Sequence, residues 1–281
     1  MAQQLLILQS LWAMERAHPE DPERPLEEKL GMIIEAGYDG FGVTLTEPET
    51  ARRVGEVARN EGKIVEGLWF PKTVDDLKPG LERAAAIGVH HLNIQPDVRP
   101  RRLEESLRIL EGWQRLAEEV DFPVYIETHR DRLTNDLLVT LDILDRLPEL
   151  KLLADLSHYV VAREMAWPID VVRHEMIRRV LDAAWAFHGR VASSEQVQVE
   201  LSFPQHRKWL ELFLDWWTYG FRSWRERAGP DDVLTFVCEL GPQPYAISDR
   251  RGRDSTDRWA EALTMRDLVR AKWDALEGDP A

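Results

Sequence analysis

The stretch LLILQSLWAMERAHPE, residues 5–20, decides the fold. Its first half is a short, continuous apolar run, the pattern of a strand buried on both faces. Its second half contains no glycine. An open dinucleotide-binding sheet would place a glycine-rich turn there, so that the backbone can approach a pyrophosphate. Working outward, seven more runs of the same kind follow: YDGFGVTL (38–45), KIVEGLWF (63–70), HHLNIQPD (90–97), FPVYIETH (122–129), LKLLADLSH (150–158), AWAFHGRVA (184–192) and VLTFVCEL (233–240). Between them lie amphipathic stretches with helical spacing, such as PLEEKLGMIIEAG, where Leu26, Leu30, Ile33 and Ile34 share a face. Several end in glycine, at Gly37, Gly62 and Gly88, as helix C-caps do. Strand and helix alternating eight times, with no glycine fingerprint, predicts an α/β protein with a (β/α)₈ barrel.

The 281 residues suit one such barrel as a single domain over 1–281. Lys and Arg number 36 against 50 Asp and Glu, a net charge of −14. That sign excludes ordinary phosphate-backbone binding and docking on an anionic membrane. The single cysteine, Cys238, leaves no internal disulfide framework and fits a reducing compartment. The start, MAQQLLILQS, has neither the basic region nor the apolar length of a signal peptide. The expected location is therefore cytoplasmic. The last residues, EGDPA, read as a loose tail.

The connection between strands 7 and 8, roughly 192–232, is long. Most of it reads as a helical insertion over about 205–227. Trp209, Phe213, Trp216, Trp217, Phe221 and Trp224 recur at spacings that form a stripe on one face. So apolar a stripe must be covered, by the chain's own barrel or by a second copy in a homodimer. The expectation is self-packing on the barrel rim, with the helix walling the substrate pocket and a dimer contact at one end.

In a barrel of this kind, functional residues gather at the C-terminal ends of the strands. Strand 5 ends in Glu127, strand 6 in Asp155 and His158, strand 7 in His188 and Arg190, and strand 8 in Glu239. Charges inside apolar strands are costly to bury alone, and a divalent cation removes that cost. Three carboxylates and one imidazole suit Mn²⁺ or Mg²⁺ first, with Zn²⁺ or Co²⁺ as alternatives. Gln95, at the end of strand 4, can bind hydroxyls. Trp12 and Trp69, ending strands 1 and 3, either stack on a sugar ring or close the barrel. Arg250, Arg251 and Arg253 form either a phosphate pocket or a solvated loop.

The series Glu, Asp-x-x-His, His, Glu on strands 5 to 8 resembles the xylose isomerase-like TIM barrel superfamily. Asp155-Leu-Ser-His158 is its most specific match. That group includes sugar isomerases, ketose 3-epimerases, inosose dehydratases and the type IV AP endonucleases. The resemblance implies that Glu127, Asp155, His188 and Glu239 hold one metal ion, with His158 and Arg190 facing the substrate. His188-Gly-Arg190-Val, with Gln198 beyond it and Glu239-Leu-Gly-Pro-Gln-Pro-Tyr245 later, is similar to a bacterial subgroup of undefined substrate. His129 and Gln198 are counted with the substrate-facing residues. The strand 5 motif is Glu127-Thr-His129 rather than Glu-Pro-Lys, and no Asp-x-Asp follows His188. A two-metal hydride-shift isomerase is therefore not expected. The histidines of a three-zinc endonuclease are missing as well, since His90 and His91 open strand 4 at the wrong end.

The implied activity is isomerisation or epimerisation of a sugar, sugar acid or polyol through a metal-stabilised enediolate, with Glu127 and Glu239 as paired acid and base. The alternatives on the same scaffold are an inosose-type dehydratase or a catalytically silent metal-binding barrel.

Overall fold

The computed structural model describes residues 3–277. Most of the expected tail, residues 278–281, lies outside the described residues. The strands are β1 (Gln4–Ser10), β2 (Gly40–Thr44), β3 (Ile64–Trp69), β4 (His91–Ile94), β5 (Val124–Glu127), β6 (Leu152–Ala154), β7 (Ala184–Gly189) and β8 (Val233–Cys238). They pair in parallel and in chain order, and β8 closes on β1 to complete a TIM barrel. Each of the eight apolar runs matches one strand, β1 starting one residue earlier at Gln4. The strands read as continuous apolar runs because one face meets the barrel interior and the other meets helices.

The helices are α1 (Leu26–Glu35), α2 (Pro48–Glu61), α3 (Lys78–Ile87), α4 (Leu103–Ala117), α5 (Leu137–Arg146), α6 (Ser157–Ala162), α7 (Val171–Asp182), α8 (Arg207–Arg227) and α9 (Arg258–Glu277). Their ends follow from local chemistry. Gly62 and Gly88 stop α2 and α3 at φ of 62° and 71°, a left-handed conformation that costs a side chain with Cβ. The Asp136 carboxylate caps α5 by accepting from the amides of Leu138 and Val139, and Asp170 caps α7 through the Arg173 amide.

Two expectations need correcting. The run 150–158 predicts strand throughout, with His158 at its end. The strand stops at Ala154, and His158 sits in the first turn of α6. The cause is Asp155 itself, whose Oδ1 accepts from the Ser157 amide at 3.0 Å and the Ser157 hydroxyl at 2.5 Å. That local bond turns the chain out of the sheet.

The second correction concerns the helical insertion between β7 and β8, which is present from Pro204 to Arg227. It does not wall the cavity described below. It lies in the outer ring between α7 and α9, packed on β7. Its aromatic stripe is covered by the chain itself. Trp217 meets Phe236 edge-on at 5.0 Å, Phe221 meets Phe187 at 5.3 Å, and Trp224 meets Trp273 at 6.1 Å. All six aromatic residues of the stripe are buried in the single chain. The expected dimer contact thus loses the reason it rested on. No helix among the described residues is long and apolar enough to cross a membrane.

Candidate metal centre

The barrel interior is polar where a purely structural barrel would be aliphatic. Along β4 every second residue faces inward, so His91, Asn93 and Gln95 stack in successive layers. Asn93 Nδ2 donates to Glu127 Oε2 at 2.7 Å, and Gln95 Nε2 donates to Glu127 Oε1 at 3.2 Å. Glu127 is the last residue of β5. Thr128 and Thr134 fix the backbone around it: the Thr134 hydroxyl donates to the Glu127 carbonyl, and the Thr128 hydroxyl donates to the Asp155 carbonyl.

Ligand atoms of Glu127, Asp155 and His188, all buried, lie within 4.8 Å of one another. Glu239, the fourth expected ligand, stands beside this group. Its Oε2 is 3.1 Å from His188 Nδ1 and accepts from Arg190 Nη2 at 2.6 Å. Arg190 Nη1 donates to Asp155 Oδ2 at 2.6 Å, so one guanidinium joins the two carboxylates. The Tyr245 ring lies 4.7 Å from that guanidinium and Trp12 lies 5.8 Å away, a pair of aromatic faces suited to a buried cation. A second overlapping set, Glu127, His129 and His158, also converges within 4.8 Å.

The environment drives the protonation states apart. Burial pushes the Glu127 carboxyl up to about 8; His188 opposes this, while Glu239 and Asp155 add repulsion. Burial also acts to raise Glu239, but His188 and Arg190 outweigh it and hold its carboxyl low. Asp155 is raised, by burial first. Hard oxygens crowded around one imidazole at this depth fit a divalent cation, which would relieve their mutual repulsion. His158 Nδ1 has no hydrogen-bond partner among the described residues, because Arg190 Nη1 donates to the ring's other nitrogen. An orphaned donor of that kind, fully buried, suits a bound hydroxyl or carbonyl oxygen.

A cavity of about 540 Å³ opens above this centre toward β1, β2 and β3. Of the expected substrate-facing residues, Trp12, Gln95, His129 and Arg190 line it. His158 lies beneath, stacked on His129 with ring centroids 3.7 Å apart. Two are not brought there. Trp69 alternates with Leu68 and Phe70, which do line the cavity; it points outward, donates to the Asp76 carbonyl and packs on Gly80. Gln198 spends both ends of its amide on the backbone of Gly241, two residues past Glu239. Gly241 must be glycine here, since a Cβ would lie 2.2 Å from the Trp12 ring. Arg253 pairs with Asp21, and none of Arg250, Arg251 and Arg253 lines the cavity.

Reading only strand ends misses Glu66 and Tyr245. Glu66 is the third residue of β3 and is 2 % exposed. The signal for it was present: an acid in the middle of the apolar run KIVEGLWF, the same oddity that marks Glu127.

The buried histidines yield a first prediction, for the metal-free protein. Burial, the largest cause, lowers His90 to about 4 and His129 to about 3, and places His158 well below 6.5. A depressed histidine contributes stability that is complete above its unfolded value near 6.5 and is lost as pH falls toward its folded value. Raised Glu127, Asp155 and His188 run the other way and offset part of this, so stability is expected to fall, but less than the three rings alone would give, as pH drops from about 6.5 toward about 4.5. Urea midpoints measured across that window check it, and a flat profile would contradict neutral burial of the three rings.

No protein-family model matches the chain, and no curated protein matches it either. Solved structures do. A xylose isomerase-like TIM barrel protein from Mycobacterium smegmatis, in complex with magnesium, is 13% identical with a TM-score of 0.60, covering 96% of this chain and 97% of that one. A sugar phosphate isomerase/epimerase from Parabacteroides distasonis is 10% identical with a TM-score of 0.58, covering 97% and 94%. A xylose isomerase domain protein from Planctomyces limnophilus is 12% identical with a TM-score of 0.56, covering 98% and 99%. These likenesses show the fold, a TIM barrel shared with structures described as xylose isomerase-like. Within it sits a buried acid and histidine cluster capable of chelating a divalent metal.

Proposed function

We propose that this chain is a divalent-metal-dependent isomerase or epimerase of neutral polyhydroxy carbonyl compounds, with Glu127 and Glu239 as its acid and base pair. The observation that carries this reading is the convergence of Glu127, Asp155 and His188 beneath a cavity lined by Glu239 and Arg190. Glu127, Asp155, His188 and Glu239 would hold the ion, with Mn²⁺ or Mg²⁺ preferred for so oxygen-rich a set. When bound, it would polarise a substrate carbonyl and stabilise the charge that develops as the adjacent proton leaves.

The chain's own residues supply the rest. Glu239, whose Oε2 accepts from Arg190 Nη2 at 2.6 Å, takes the proton from the carbon next to the carbonyl. Glu127, on the opposite side of the ligand set, returns one. Return to the same carbon from the other face is epimerisation, and return to the neighbouring carbon is isomerisation. Arg190 and His158 hold substrate oxygens, and Gln95 and His129 line the wall that binds hydroxyls.

Charge narrows the substrate. Glu66 adds a fourth buried carboxylate to the three expected from sequence. Against Arg190 and a divalent cation, one negative charge is left over, which favours a neutral polyol over an acid or a phosphate. The cavity's other cations are already paired, Arg132 beside Asp97 at 3.5 Å and Lys29 with Glu23.

The test is proton exchange. Mn²⁺-loaded enzyme is incubated in deuterated water with neutral ketoses, aldoses and inososes, and the carbon next to the carbonyl is followed by NMR. The expected result is deuterium incorporation that stops on chelation. Exchange indifferent to chelation, or no exchange across the panel, overturns the reading.

A further inference from the structure

Glu66 lies outside the ligand set and yet touches it. Its Oε1 is 2.8 Å from His188 Nε2, and its Oε2 is 2.8 Å from His91 Nε2. Both oxygens therefore face a ring nitrogen, one across the barrel on β7 and the other on the neighbouring strand β4, where His91 is the register partner of Glu66. Glu66 does not join the converging donors of Glu127, Asp155 and His188. The contact is confined on the far side, where His91 Nδ1 lies 3.1 Å from His90 Nδ1 and its Nε2 faces Glu66. His91, with no exposure, has no freedom to turn away.

We propose that Glu66 is the positioning residue that fixes the orientation and tautomer of His188. It accepts the Nε2–H, which leaves Nδ1, the nitrogen facing Glu239, as the lone pair offered to a cation. The inference rests on the metal reading above and extends it to a strand that contributes no ligand. The physical reason is general: an imidazole can present one lone pair only if its other nitrogen carries the proton, and a buried carboxylate at that nitrogen settles which one does. Glu66 also stiffens the ring, since the Nε2–H is then held by a buried carboxylate from β3, 2.8 Å away.

Two measurements test this, neither needing a substrate. The first is the free Mn²⁺ signal by electron paramagnetic resonance, titrated into the wild type and Glu66→Gln. Loss of the carboxylate is expected to weaken Mn²⁺ binding by about 10- to 100-fold. The second uses ¹⁵N-histidine NMR of the Mg²⁺-loaded wild type, and so does not depend on the variant folding. His188 is expected as the Nε2–H tautomer, and in Glu66→Gln that tautomer is expected to lose its dominance. Wild type that binds Mn²⁺ while Glu66→Gln binds it equally tightly overturns this inference alone. So does a His188 found as the Nδ1–H tautomer in the loaded wild type. Wild type that binds no Mn²⁺ overturns the metal reading itself.

Discussion

Glu239→Gln is expected to fold, to retain most of its divalent-cation affinity and to turn over substrate at least about 100-fold more slowly than wild type. The side chain sits one residue beyond β8 and is 6 % exposed, so its environment is set by its neighbours rather than by water. Arg190 donates to it at 2.6 Å and His188 Nδ1 lies 3.1 Å away, and together they keep the carboxylate ionised near neutral pH. An amide of the same shape still offers a carbonyl oxygen to a cation. It cannot take a proton. The loss should therefore appear in kcat with KM nearly unchanged, the signature of an interaction needed in the transition state rather than for binding. Wild-type turnover by this variant would remove Glu239 from the acid–base role.

The second large effect is on stability. Trp217→Ala is expected to cost about 3–5 kcal/mol, the range for truncating a large aromatic residue in a packed core. In a chain of this length that lowers the melting temperature by roughly 10 °C. Trp217 is 1 % exposed, and it sits at the junction of α8 and the barrel wall, edge-on to Phe236 of β8 and against Phe213. Its indole N–H has no acceptor among the described residues. Trp217→Phe therefore removes an unpaired donor along with some packing and should cost much less than the alanine change. Neither substitution should alter the mass measured by light scattering, because the stripe is covered within one chain. A change in mass would mean that a second copy shares the cover.

The strands were legible in the sequence because burial on both faces leaves no polar alternation to mislead the reading. The longest overrun, at Asp155-Leu-Ser-His158, came from a side-chain-to-backbone bond that no hydrophobic pattern reports. The acid and histidine cluster was legible where its residues stand at or just past strand ends. Glu66 escapes a reading confined to strand ends, although an acid amid the apolar run KIVEGLWF marks it. Trp69 shows the opposite limit. Its place at the end of β3 was plain, but the strand's alternation turns it outward while Leu68 and Phe70 take the cavity. Gln198 is fixed by a partner 43 residues away, a pairing invisible along the chain. The length of the segment before β8 signalled a long helix correctly, yet length alone does not say whether a helix caps the rim or joins the outer ring.

Glu127, Asp155, His188 and Glu239 are proposed to form one divalent-cation site. Calorimetric titration of Mn²⁺ into metal-stripped wild type, Asp155→Ala and His188→Ala tests it most directly. One site per chain is expected in wild type and at least about a 100-fold loss of affinity in each variant, with circular dichroism showing that the barrel persists. Absence of binding in the wild type, or Mn²⁺ binding that survives both substitutions unchanged, would contradict it.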